Sequence, residues 1–295
     1  MMWKALAVGT AAAGAGLLLR SAYEKGHFLV EELTIVSPKI QENHTFVFLT
    51  DLHDNEFGPR NRKLLEAIQA EKPEGILIGG DMMVTKTKQG MGNLEITGTL
   101  LKGLTAIAPV YYAPGNHETR LEVEKETYGS KYRQLLEMAK ALGVVMLVNK
   151  NVLLDRDLAV AGIRLSPVFY QKLLWKKPVP MPESYLNCRL GDAAEERFQL
   201  LLMHSPLYFH ACRHWGADLT LAGHFHGGTI RIPGLGGVMT PQYQFFLPWC
   251  AGSFEQEGKW MAVGRGLGTH SINIRLCNRP QVVVIRLLPD IKIER

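Results

Sequence analysis

The sequence predicts an α/β protein. Two observations carry that prediction. From residue 44 onward, short apolar runs of strand length alternate with amphipathic stretches of helical period. Several of those runs stop at a glycine or proline next to Asp, Asn or His, the pattern of strands that open into functional loops. The 295 residues are ample for one large core.

Each element follows from local pattern. Residues 5–19 carry no charge, with Lys4 before them and Arg20 and Lys25 after. As a helix they span about 22 Å, short of a hydrocarbon core of about 30 Å, though Met1 to Trp3 extend them. Three readings of residues 1–25 stay open: an uncleaved single-span anchor, which is the leading expectation and places the protein at the cell membrane; a cleaved signal peptide; and a peripheral or buried helix. Residues 26–43 read as a linker and a first strand, near 33–36, that stops at Pro38.

Residues 44–50 are β-branched and aromatic, a strand running into Asp51-Leu52-His53-Asp54. Arg62–Ala70 is amphipathic through Leu64, Leu65 and Ile68, and Pro73 ends it. Gly75–Ile78 is a second strand, leading to Gly79-Gly80-Asp81. A helix over 94–106 precedes a third strand at 110–113, which enters Pro114-Gly115-Asn116-His117-Glu118. A helix over 132–142 closes on Gly143. Strands follow near 144–148 and 159–163. Phe198–Met203 is a strand ending at His204-Ser205-Pro206, and Leu219–Ala222 runs into Gly223-His224-Phe225-His226-Gly227-Gly228. Five polar clusters therefore sit just past strand ends, where open α/β sheets build their sites.

Composition excludes little but orders the options. The net charge of +5 comes without a dense Lys/Arg tract, so nucleic acid is not an expected partner. None of the four cysteines forms a Cys-x-x-Cys pair, which argues against a structural zinc knuckle and leaves free thiols or two disulfides. His27 and His44 match no cluster and read as surface groups.

The clusters together offer two carboxylates, one amide oxygen and four or five imidazoles, with no thiolate. Mixed N/O ligation suits Mn, Fe, Zn or Ni. Seven side chains exceed what one tetrahedral ion takes. Two ions about 3.5–4 Å apart would use them, with a carboxylate between, and would turn water into hydroxide near neutral pH.

Asp51-x-His53, Gly80-Asp81, Gly115-Asn116-His117-Glu118, His204 and Gly223-His224-x-His226 resemble, in order and type, the five motifs of the calcineurin-like metallophosphoesterases. The resemblance covers roughly residues 44–286. It is closest to bacterial membrane-associated members, which include enzymes similar to UDP-2,3-diacylglucosamine diphosphatases. It implies two packed mixed β-sheets flanked by helices in four layers, with residues 44–295 as the catalytic domain.

It also implies roles. Asp51, His53 and His226 bind a first divalent metal, and Asp81 bridges. Asn116, His204 and His224 bind a second, with manganese the leading choice. His117 is the catalytic non-ligand histidine, acting with Asp51 and the hydroxide between the metals on a phosphodiester or pyrophosphate bond. Glu118 stands where many members have Asp and is expected to orient His117. His270, in the glycine-rich turn Gly264 to His270, is a candidate substrate contact.

Residues 167–192 break the periodicity with aromatics, leucines and lysines, including Trp175, and leave two readings open: a surface helix and loop packed on the domain, or an insertion beside the metals that meets a membrane surface or a lipid-bearing substrate. The aromatic stretch 243–249 is a candidate opposite wall. The leading expectation is a membrane-anchored phosphoesterase with a lipid- or nucleotide-linked substrate. The alternatives are a tethered phosphodiesterase of a soluble substrate and a metal-stabilised scaffold. No ligand is missing, which disfavours the scaffold.

Overall fold

The computed structural model describes residues 2–86, 90–91, 93–174, 176–269 and 272–290. His270 and Trp175 lie outside the described residues. Two six-stranded mixed sheets pack face to face. In the first, the strands run in the order Leu29–Ser37, Gln281–Pro289, His44–Leu49, Gly75–Ile78, Val110–Tyr112 and Val145–Met146. In the second, the order is Gly252–Gln256, Lys259–Val263, Leu219–Ala222, Phe198–Met203, Leu158–Ile163 and Lys150–Leu153.

The central strands are apolar because both faces of each sheet are covered there, whereas the edge strands Leu29–Ser37 and Gly252–Gln256 carry Glu31, Glu32 and Glu255 and are largely exposed. Side chains alternate along a strand. Phe46 and Phe48 therefore enter the layer between the sheets, where Leu200, Leu202, Leu219 and Leu221 meet them. Val47 and Leu49 point the other way, onto Leu64, Ile68, Leu100, Leu104 and Leu135 of the helices Arg62–Ala70, Glu95–Thr105 and Lys131–Ala141. Leu201 and Met203 face Phe209, Cys212 and Trp215 of the helix Phe209–Trp215.

The parallel strands His44–Leu49, Gly75–Ile78 and Val110–Tyr112 of one sheet carry the Asp51, Asp81 and Asn116 clusters past their carboxyl ends. Phe198–Met203 and Leu219–Ala222, also parallel, carry His204 and His224 from the other. The layered packing brings both sets to one edge of the sandwich. The C-terminal strand Gln281–Pro289 was not among the sequence expectations. It inserts between Leu29–Ser37 and His44–Leu49, parallel to the first and antiparallel to the second.

Residues Met2–Gly26 form a helix, but no helix among the described residues is long and apolar enough to cross a membrane. The single-span anchor expected at 1–25 is therefore not supported as a spanning segment. Its Ala and Gly residues add little apolar surface, and Arg20, Glu24 and Lys25 charge its end. The last turn packs on the catalytic body. Glu24 is fully buried and accepts the backbone N–H groups of Cys277 and Asn278 at 3.1 and 2.8 Å, while Ser21 Oγ accepts that of Arg275 at 3.0 Å.

His44 corrects a second expectation. It is buried between Glu74 (2.8 Å) and Asp157 (3.3 Å) rather than at the surface. All four cysteines are free thiols, with Cys212 and Cys250 buried.

Candidate metal centre

The loops that hold the cluster are zipped to one another through the backbone. Asp51 N–H donates to Gly80 O at 2.9 Å, His53 N–H to Asp81 O at 3.1 Å, and Gly223 N–H to His204 O at 3.1 Å. Their path is tight. Asp51, His53, Asp81, His224 and His226 have φ of 53, 48, 56, 66 and 49°. Left-handed non-glycine residues are uncommon and gather at functional sites. Gly223 permits the contact between the two sheets: a Cβ there would lie 2.2 Å from Thr50 Oγ1 and 2.3 Å from Asp51 Oδ2.

Each carboxylate divides its work. Asp51 Oδ2 accepts Thr50 Oγ1–H at 2.8 Å and the His224 N–H at 3.0 Å. Its Oδ1 turns inward, 3.3 Å from His226 Nε2 and 3.8 Å from His53 Nε2, and those two nitrogens lie 3.1 Å apart. Asp81 Oδ1 accepts the His117 N–H at 2.8 Å. Its Oδ2 lies 3.1 Å from His204 Nε2, 3.8 Å from His53 Nε2 and 3.9 Å from His117 Nε2.

The buried donor atoms fall into overlapping groups: Asp51, His53 and His226; Asp81, His204 and His224; and His53, Asp81 and His117. Asn116 Oδ1 and His224 Nε2 are buried with no hydrogen-bond partner.

This geometry fits divalent cations. Metal–ligand bonds of about 2.1 Å give donor–donor edges of about 3.0 Å in an octahedron and about 3.4 Å in a tetrahedron. In the first group the separations of 3.1 and 3.3 Å fall between those edges, and the third, 3.8 Å, is somewhat longer. Burying unpartnered acceptors is costly, and a cation removes that cost at Asn116 and His224. His204 Nδ1–H donates to Gly79 O at 2.7 Å, which turns Nε2 toward the carboxylates, where a cation would displace its proton, the arrangement common in metal-binding histidines.

Electrostatics agree. Burial opposes charge on Asp51 and Asp81, yet the surrounding imidazoles hold both carboxyls well below the usual range. Burial likewise opposes charge on His204, but Asp81 and Asp51 outweigh it and lift the ring to about 10. Burial and the neighbouring His204 push His224 down to about 4, which keeps it a neutral ligand. Protons and cations compete for the same carboxylate oxygens.

Glu118 does not reach His117 in the way expected. Its Oε2 accepts the N–H groups of Asp81 (2.9 Å) and Gly115 (2.8 Å), and its Oε1 accepts Met82 N–H (2.9 Å) and Tyr112 Oη–H (2.6 Å). It therefore clamps two strand-end loops together. His117 is held instead by Thr85, whose N–H donates to Nδ1 at 2.8 Å and whose Oγ1 lies 2.8 Å from the same nitrogen. Nothing in the sequence around Thr85 marks that role. The turn Pro167–Tyr170 sets Tyr170 against His224 and His204, at ring separations of 5.0 and 5.9 Å. The stretches around 171 and 243 are joined: Gln242 Nε2 donates to Gln171 O at 2.9 Å, and Lys172 Nζ to Tyr243 Oη at 3.2 Å.

The calcineurin-like phosphoesterase family model matches residues 44–228, which contain every residue of the three donor groups. The chain belongs to that family. This calcineurin-like phosphoesterase is 27% identical over 251 residues to phosphodiesterase YaeI of Escherichia coli strain K12, covering 82% of this chain and 81% of that protein. It is 24% identical over 291 residues to the uncharacterized protein YpbG of Bacillus subtilis strain 168, covering 96% of each. It is 22% identical over 286 residues to the UDP-2,3-diacylglucosamine pyrophosphatase LpxG of Chlamydia trachomatis, covering 82% and 83%. The phosphoesterase is thus an enzyme of a metal-dependent class, and its clustered Asp and His residues can hold metal.

Proposed function

We propose that this phosphoesterase hydrolyses a phosphodiester or pyrophosphate bond at two divalent cations, and that its substrate is lipid-linked. The observation that carries the two-cation reading is Asp81 Oδ2, the oxygen shared between donors of both groups. Asp51, His53 and His226 hold one cation. Asn116, His204 and His224 hold the other, with Asp81 between, and manganese suits these N/O donors. Bound there, the pair supplies a water-derived nucleophile and draws charge off the phosphoryl oxygens.

The protein's own part is positioning. Thr85 N–H occupies His117 Nδ1, so the neutral ring carries its proton on Nε2, beside Asp81 Oδ2 at 3.9 Å, ready for the leaving oxygen. Glu118 and Gly223 keep the carboxylates in register.

Three features support a lipid-linked substrate and contact with the membrane surface. Leu17, Leu18 and Leu19 of the N-terminal helix are exposed. Leu174, Phe245 and Phe246 are exposed near the basic side chains Lys172, Lys176 and Lys177. Chlamydial relatives are named for a diacylated sugar nucleotide. The proposed contact is an interfacial one, made by these exposed apolar and basic side chains.

The test uses full-length protein loaded with manganese and assayed on a bis-aryl phosphodiester, an aryl phosphomonoester and a UDP-linked diacyl sugar in vesicles. Turnover of the diester and of the sugar nucleotide is expected. No turnover of any substrate, with two cations bound per chain, overturns the proposal. Turnover of the diester alone removes the lipid-linked part.

A further inference from the structure

The insertion that begins at Pro167 places one polar group at the metal centre that neither the motifs nor the metal groups use. The Tyr170 ring stands edge-on to His224, with 5.0 Å between centroids and a 63° interplanar angle. Its hydroxyl is buried and has no hydrogen-bond partner. An unmade hydrogen bond at a buried hydroxyl is costly, so the group calls for a partner.

A tyrosine hydroxyl carries its proton at neutral pH, so the oxygen is available as a donor.

Tyr170 also lines a cleft of about 130 Å³ that opens beside Asn116 and is walled by Pro167, Arg120 and Glu124. Arg120 is fixed there: its Nη1 donates to Thr85 O at 2.7 Å, and its Nε lies 3.5 Å from Glu124 Oε1. The cleft is therefore lined by two residues that each hold a buried, unpartnered polar atom, Asn116 with Oδ1 and Tyr170 with Oη, and by a held guanidinium. That combination matches an anionic phosphoryl group and mismatches a neutral one.

We propose that Tyr170 is a substrate-contacting residue, whose hydroxyl donates a hydrogen bond to a non-bridging oxygen of the phosphoryl group bound at the Asn116 side of the centre. This rests on the two-cation phosphoesterase reading above. It assigns the insertion a direct part in binding the reacting group, in addition to any contact with a lipid.

The experiment compares the full-length, manganese-loaded wild type with Tyr170→Phe, which keeps the ring against His204 and His224 and removes only the hydroxyl. Four quantities are read: the dissociation constant of inorganic phosphate by calorimetry, kcat/KM on a bis-aryl phosphodiester, manganese per chain, and the melting midpoint. One hydrogen bond to a charged oxygen corresponds to roughly a 10- to 100-fold change. Phosphate affinity and kcat/KM are expected to fall by about that factor, with manganese content and melting unchanged.

Equal phosphate affinity in the two proteins overturns the proposal. So does a loss of affinity that tracks a loss of manganese, because Tyr170 would then act by packing the ligands. Weaker phosphate binding in Tyr170→Phe, beside a wild type that turns over no diester, supports the contact and overturns the hydrolytic reading alone. A wild type that neither binds phosphate nor turns over the diester overturns both.

Discussion

Replacing Glu118 by Gln separates two accounts of this residue. The buried carboxylate accepts four donors: Asp81 N–H and Gly115 N–H on Oε2, and Met82 N–H and Tyr112 Oη–H on Oε1. An amide has one acceptor oxygen and one NH₂ donor. If the NH₂ replaces Oε2, it faces two backbone donors. If it replaces Oε1, Tyr112 can rotate to accept from it, but Met82 N–H remains opposed. The second orientation is cheaper and still leaves one buried N–H without an acceptor, at about 1–3 kcal/mol. The two bonds kept on the oxygen lose their charged partner, at a further ~1 kcal/mol or more.

Some relief offsets this. Burial and the neighbouring Asp81 raise the Glu118 pKa, so removing its charge removes an unfavourable interaction. The net expectation is a loss of about 2–4 kcal/mol. In a chain of this size that lowers the melting midpoint by roughly 4–10 °C. Manganese content measured after dialysis should fall as well, because Asp81 moves with its N–H. The pH–rate profile of whatever fraction stays loaded should match wild type, since His117 is held by Thr85. A variant with wild-type melting and metal content but a shifted pH–rate profile would refute this reasoning and restore Glu118 as the residue that orients His117.

Three other perturbations follow from the geometry. His224→Ala and His226→Ala should each lower metal content while emptying different positions, because His226 groups with Asp51 and His53, and His224 with Asp81 and His204; anomalous scattering that shows the same cation lost in both contradicts the division. Gly223→Ala puts a Cβ 2.2 Å from Thr50 Oγ1 and 2.3 Å from Asp51 Oδ2, so it should cost about 3 kcal/mol or more in a urea titration and reduce metal binding; a fully stable, fully loaded variant refutes the close approach. Burial opposes charge on His44, but Glu74 and Asp157 outweigh it and raise its pKa. Its stabilisation is therefore fully present below the unfolded value of about 6.5 and is lost as pH rises through the raised folded value. His44→Gln should destabilise more at pH 5.5 than at pH 8.5, and an equal loss at both would show that the pairs do not titrate in this way.

Much of the fold was legible because the information is local. The runs at 44–49, 75–78, 198–203 and 219–222 are apolar on both faces, and they form strands covered on both faces. Their terminal Gly, Asp and His residues marked the loops that carry the site. The strand Gln281–Pro289 shows where this ends. Its composition suits a strand, but its place between two N-terminal strands depends on pairing across more than half of the chain. His44 shows the same limit, since both of its carboxylate partners are remote in sequence.

By itself the sequence determined the residue types of the centre and their order, because metal chemistry restricts ligands to a few side chains and strand ends are marked by composition. Only the tertiary structure decided what each one touches. It gave distances to the division that the family resemblance implied, His226 with Asp51 and His224 with Asp81. It gave Glu118 to the backbone of two loops and His117 to Thr85, and it brought Tyr170 from the insertion to the edge of the ligands. It also seated Glu24, at the end of a helix read from sequence as an anchor, on the loop at Cys277 and Asn278. Most of these contacts join segments distant in sequence, and they are set by packing between those segments rather than by any local pattern.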